Sequence, residues 1–122
     1  MLQLRPLDEV VSIQMQLEES VSPVVLVVIF HVVPEDEDAL LKAWEADANW
    51  MKKQPGFISN QLHRGIGESC VFLNYTVWES VAHFREAFIN PQFQSGFPAY
   101  PSSAVASLHL FRKLAVPNIC GA

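Results

Sequence analysis

The sequence predicts an α+β domain whose elements run strand, helix, strand, strand, helix, strand, and three observations carry that prediction. Val24 to Val33 is apolar at almost every position and reads as a central strand covered on both faces. Two amphipathic stretches, each opening on capping chemistry and stopped by proline, separate the apolar runs. Between them, two strands meet at a short glycine-containing turn, the mark of an antiparallel hairpin. This order is the split β-α-β of a ferredoxin-like fold, an antiparallel sheet with helices on one face.

Each element has its own signal. In residues 1–22, Val11, Ile13, Met15 and Leu17 alternate with Ser12, Gln14, Gln16 and Glu18, the period of a half-buried strand. This segment is expected to be an edge strand or arm that precedes the main domain at residues 23–122. After the central strand, Pro34-Glu35-Asp36-Glu37-Asp38 starts a helix, with proline tolerated in the first turn and carboxylates favoured by the N-terminal dipole. Four consecutive carboxylates point around the helix and do not converge on an ion. Leu41, Trp44, Ala48 and Met51 then recur at helical spacing, a stripe that reads as core. Pro55-Gly56 ends the helix, Phe57 to His63 is the next strand, and Arg64-Gly65-Ile66-Gly67 turns the chain into Ser69 to Trp78. Those glycines open a strand, where a phosphate loop requires a helix. Val81, Phe84 and Phe88 mark a second helix over Glu79 to Ile89, stopped at Asn90-Pro91, with a further helical turn around Phe93 and Phe97. Ala104 to Val116 forms the last strand, and a tail starts at Pro117.

Composition bounds the function. With 122 residues and a formal charge of -5, the chain makes one domain and lacks the basic face that nucleic acid demands. Its longest apolar run is about half the length that spans a bilayer, so no membrane is expected. Charged residues interrupt the first twenty positions, unlike an export signal. Cys70 and Cys120 form no CxxC pair, and the chain reads as a cytoplasmic protein with reduced thiols. No HxH or HExxH spacing supports a metal, and no phosphate loop supports a nucleotide or flavin, so no cofactor is expected.

Along the third core strand Val71, Leu73, Tyr75 and Val77 point to one face, and Phe72, Asn74, Thr76 and Trp78 to the other. Both faces need cover. The helices cover one, and a second copy of the sheet is the economical cover for the other, giving a homodimer; Asp47, on the first helix, is taken as a control position away from that interface. On the helix face a carboxamide, a hydroxyl and an indole N–H line one wall, the few polar groups that orient an aromatic ligand among apolar neighbours.

The stretch NYTVWESVAHFREAF, preceded by the apolar first strand, the acidic-start helix and the segment QPGFISNQLHRG, resembles the antibiotic biosynthesis monooxygenase family of dimeric α+β barrels over about residues 24–116. The resemblance implies a cofactor-independent monooxygenase acting with molecular oxygen on a small aromatic or phenolic molecule of polyketide or quinone type. Asn74 and Trp78 match the asparagine and tryptophan that in this family orient the substrate and stabilise its deprotonated form. Phe72, Thr76, Phe84, Phe88 and Trp44 are the expected substrate-binding residues. The implied chemistry is loss of a proton, electron transfer from the carbanion to oxygen, recombination to a peroxide and loss of water. Phe84 stands where some members have a tyrosine, and the asparagine, tryptophan and histidine of the haem-degrading branch have no counterparts. Of the four histidines, His31 and His109 are the preferred auxiliary bases, because the first and last core strands lie near the third in this topology. Two alternatives share the fold: a non-enzymatic binding or structural dimer, and an isomerase or cyclase that moves protons without oxygen.

Overall fold

A computed structural model describes residues 1–121. The strands are β1 (Gln3–Leu4), β2 (Val24–His31), β3 (Phe57–Arg64), β4 (Val71–Trp78) and β5 (Val105–Phe111), and the helices α1 (Ile13–Gln16), α2 (Glu37–Met51), α3 (Val81–Phe88) and α4 (Pro91–Gln94). One sheet holds all five strands in the order β1-β5-β2-β4-β3. The four long strands pair antiparallel with one another, with β2 and β4 in unbroken register from Val24 opposite Trp78 to His31 opposite Val71. The predicted ferredoxin-like order is present, and β2 is apolar from Val24 to Phe30 because it lies between two neighbours with its alternate residues buried under the helices.

Three expectations change. The alternation from Val11 to Leu17 does not make a strand. Ser12 accepts a hydrogen bond from the Met15 N–H at 3.2 Å and caps the single turn of α1, and of the four apolar residues only Leu17 is buried. The strand of this segment is β1, farther upstream, and it runs parallel to β5, so the sheet is mixed. The last strand ends at Phe111 and not at Val116; beyond it the chain is exposed, with one isolated bridge between Val116 and Cys120.

The N-terminal segment is nonetheless tied to the sheet. The Gln16 carboxamide donates to the Leu110 carbonyl at 3.0 Å and accepts from the Leu110 N–H at 2.8 Å, satisfying the free edge of β5 as a neighbouring strand would. Arg85 donates to the Leu17 carbonyl at 2.8 Å, joining the segment to α3.

Helix α2 enters through a 3-10 turn at Pro34–Asp36. Two of its first carboxylates have defined partners, Asp36 with the Ser103 hydroxyl at 2.7 Å and Glu37 with Arg64 at 2.8 Å. The Trp-Glu-Ser segment opens α3 by a cap in which Ser80 Oγ accepts from the His83 N–H at 3.1 Å. Gly56, which leads into β3, has φ +86 and lies where any Cβ would meet the His83 ring, so glycine is required there twice over. The core between sheet and helices is built on Trp78, Phe84, Leu40 and Val81, all fully buried.

Candidate active site

The helix-facing side of β4 carries Phe72, Asn74, Thr76 and Trp78, all buried, while Val71, Leu73, Tyr75 and Val77 alternate with them half-exposed on the opposite side. Between this face and the helices lies a narrow cavity, in which the centre of a water-sized molecule can occupy about 70 Å³. Its floor is Leu26, Val28, Phe30, Asn74, Thr76, Trp78 and Ala106; α2 supplies Trp44, Asp47, Ala48 and Met51, and α3 supplies Phe84 and Phe88. Aromatic rings run around it in contact: Phe57 edge-on to Trp78, then Phe84, Phe88, Phe93 and Phe97, with centroid separations of 5.3 to 6.0 Å.

Three buried side-chain atoms among the described residues lack any hydrogen-bond partner: Asn60 Oδ1, Asn74 Oδ1 and Trp78 Nε1. All three residues line this cavity. Asn60 stands opposite Thr76 in the β3–β4 register and so shares its face. Leaving a buried polar atom unpaired costs about 1–3 kcal/mol, so three such atoms at one cavity are open to a bound polar group, water or ligand. Thr76 differs. Its hydroxyl donates to the Leu26 carbonyl at 3.3 Å and is engaged within the sheet.

The one ionisable pair in the cavity walls is Asp47 with Tyr100, whose phenol donates to Asp47 Oδ2 at 2.7 Å. Burial raises the Asp47 carboxyl above its ordinary value, and the Tyr100 hydrogen bond opposes this. Burial and the adjacent carboxyl push the Tyr100 phenol far above its ordinary range, so it remains a donor. Gly96 gives the carboxyl room, because a Cβ there would strike Asp47 Oδ1.

The structure therefore brings together Asn74, Trp78, Thr76, Phe84, Phe88 and Trp44, as the sequence predicts. It does not bring Phe72, His31 or His109 to the cavity. Phe72 is buried on the same face but lies beneath the Arg64 guanidinium, 5.7 Å from its ring centre. His31 ends β2 in solvent. His109 lies between Leu108, which lines the cavity, and the core residue Leu110, so its ring faces the other side of the sheet, 3.1 Å from Gln16 Nε2. Sequence reasoning missed Asn60, Asp47, Tyr100 and the two leucines of the N-terminal strand, Leu2 and Leu4, which also line the cavity. The signal for Asp47 was present, a carboxylate set between Trp44 and Met51 on an otherwise apolar helical stripe.

The family model for antibiotic biosynthesis monooxygenase matches residues 23–98. The chain belongs to this family. Among solved structures, SnoaB, a cofactor-independent oxygenase from Streptomyces nogalater, superposes with a TM-score of 0.71 at 22% identity, covering 80% of this chain and 99% of its own. A candidate monooxygenase from Shewanella loihica PV-4 is 28% identical with a TM-score of 0.66 over the same shares, 80% and 99%. A candidate antibiotic biosynthesis monooxygenase from Caulobacter crescentus CB15 is 17% identical, TM-score 0.65, over 77% of this chain and 92% of its own. No curated protein matches the chain. Residues 1–22, which contribute Leu2 and Leu4 to the cavity, lie outside the family match. Among the described residues no three His, Cys, Asp or Glu side chains cluster as metal ligands, and no helix is long and apolar enough to cross a membrane.

Proposed function

We propose that this antibiotic biosynthesis monooxygenase family member is a cofactor-independent oxygenase that takes a flat phenolic or quinone-type molecule into the cavity between sheet and helices. The observation that carries the reading is the convergence of the three unpartnered polar atoms on that one cavity. The aromatic walls suit an aromatic ligand, and at about 70 Å³ the cavity must widen to admit one. The Trp78 indole N–H is a placed donor with nothing to donate to, and the Asn74 carboxamide lies on the same wall, two pleats away. The Trp78 N–H and the Asn74 NH2 group are the donors that would stabilise an oxygen on which negative charge develops when the bound substrate loses a proton, whereas the unpaired Asn74 Oδ1 only accepts and suits a substrate hydroxyl. The resulting carbanion then reduces molecular oxygen, and recombination at carbon gives a peroxide that collapses to a carbonyl and water.

The protein works as a homodimer in this reading. On the sheet's outer face Val27, Ile29, Leu73 and Tyr75 form a half-exposed apolar centre, with Gln61 and His63 on one flank and Ser107 and His109 on the other. An apolar centre with a polar margin is self-complementary under a two-fold axis, and a second copy covers it.

Oxygen consumption with an anthrone-type phenol tests the reading. The wild-type chain should consume oxygen and release the quinone, and Trp78→Phe, which deletes the indole N–H and keeps an aromatic ring, should lower turnover about a hundredfold with a smaller change in KM. Turnover that proceeds equally well under nitrogen identifies an isomerase or cyclase instead.

A further inference from the structure

The chemistry just proposed needs a group to accept the substrate's proton, and neither His31 nor His109 reaches the cavity. Among the described residues that line it, Asp47 and Tyr100 are the only two that titrate; the histidines, lysines and other carboxylates of the same elements point away from it. We propose that Asp47 is the general base of this site and that Tyr100 is its positioning residue, an assignment that rests on the oxygenase reading above.

The geometry supports a division of labour along the cavity. Tyr100 stacks on Phe30 with ring centres 6.2 Å apart and planes 9° from parallel, which holds its hydroxyl in place. Phe30 lies two residues along β2 from Val28, the residue directly opposite Asn74. Two residues of strand span roughly 7 Å. The Asp47–Tyr100 pair thus stands beyond Asn74 at one end of the floor, and Trp78 at the other. Asp47 Oδ2 accepts from the Tyr100 hydroxyl, and Oδ1 lies beside Gly96, where the missing Cβ leaves it uncrowded. A ketone whose oxygen lies toward the Trp78 N–H, at the far end of the floor, then presents the opposite side of its ring to Asp47. The substrate this requires is the type the oxygenase reading already supposes, a cyclic ketone with an acidic methylene across the ring from the carbonyl.

In the first step the Asp47 carboxylate removes a methylene proton, and the C–H electron pair moves into the ring to leave negative charge on the ketone oxygen. The enolate gives one electron to molecular oxygen, and the radical pair recombines to form the carbon–oxygen bond. Asp47 returns its proton to the distal peroxide oxygen. It then takes the second hydrogen from the same carbon as the O–O bond breaks, which forms the new carbonyl, and that proton leaves with hydroxide as water. One methylene and one dioxygen become one carbonyl and one water.

Asp47→Asn keeps the shape and still accepts the Tyr100 hydrogen bond, but removes the base. The experiment has two arms. Under air, oxygen consumption with dihydroxyanthrone should fall a hundredfold or more in Asp47→Asn, the scale of a lost general base. Under nitrogen, the bound anthrone should show the long-wavelength absorption of its enolate in the wild type and not in the variant. Equal enolate in both proteins, or none in the wild type, overturns the assignment of Asp47. Enolate formed by the wild type without oxygen uptake leaves Asp47 as a base and removes the oxygenase reading, so the two failures are distinct. Should Asp47→Asn fail to fold, Tyr100→Phe carries the test. It retains the carboxyl but not its anchor, and kcat should fall about tenfold with KM little changed; an unaltered kcat overturns the proposal.

Discussion

Replacing Asn74 with leucine should make the ligand-free protein more stable and nearly inactive. The two side chains have similar shape, and Asn74 is buried, 8% exposed, with its carboxamide oxygen unpaired. An unpaired buried acceptor costs about 1–3 kcal/mol, and an apolar group of the same shape recovers that cost. For 122 residues an unfolding entropy of about 2.1 cal/mol/K per residue gives roughly 0.26 kcal/mol/K, so the recovery corresponds to a Tm higher by about 4–12 °C. Thr76→Val is the contrast on the same strand. It deletes a hydroxyl already bonded to the Leu26 carbonyl and should leave Tm unchanged or lower. Calorimetry on both variants, with oxygen consumption measured on each, separates the cases. A lower Tm for Asn74→Leu would mean that its carboxamide holds the fold together, and the argument from unpartnered polar atoms would fail at its central residue.

Two further outcomes follow from other parts of the molecule. Leu73→Asp places a charge in the apolar centre of the outer sheet face and should convert a dimer to monomers in sedimentation, whereas the same charge at exposed Gln92 should not; a wild-type chain that sediments as a monomer at micromolar concentration, or equal behaviour of the two variants, counts against the interface. Burial raises the Asp47 carboxyl above its ordinary 3.8, so the folded chain holds this proton more tightly than the unfolded chain, and this group's contribution to stability falls as pH rises from 3.8 through the raised folded value. Asp47→Asn removes that loss, and its Tm relative to wild type should increase between about pH 4 and pH 7; a pH-independent difference would contradict the sign.

Most of the fold is legible in the sequence because its signals are local and redundant. The β2 run, the β3–β4 turn, and the Ser80 cap that opens α3 each announce themselves within a few residues. The N-terminal segment misleads because its alternation competes with a cap. The Ser12 hydroxyl stabilises one helical turn, and the edge of β5 is satisfied by a single side chain, Gln16, in place of a strand. No periodicity encodes that substitution. The two-residue β1 is too short to carry a pattern, yet its parallel pairing with β5 sets Leu2 and Leu4 against the cavity.

The site divides along the same line. Asn74, Thr76 and Trp78 are legible because a strand places alternate residues on one face, and the face follows from which set the helices bury. Asp47 was masked by its own helix. It occupies the apolar stripe of α2 together with Trp44 and Met51, and a carboxylate in such a stripe has two readings, a break in the buried face or a buried charge with a partner. The partner decides between them, and Tyr100 lies 53 residues away in a loop bounded by Pro98 and Pro101, where spacing carries no information. Asn60 is hidden differently, since the irregularity between Phe57 and Ser59 shifts the alternation of β3 and obscures which of its residues face inward. In both cases the polar group departs from the pattern around it, and the fold keeps it at the cavity despite the cost. A sequence scan for core positions discards such residues first. Weighing each carboxylate or carboxamide on a buried face as a site candidate selects Asp47 and Asn60 together with Asn74.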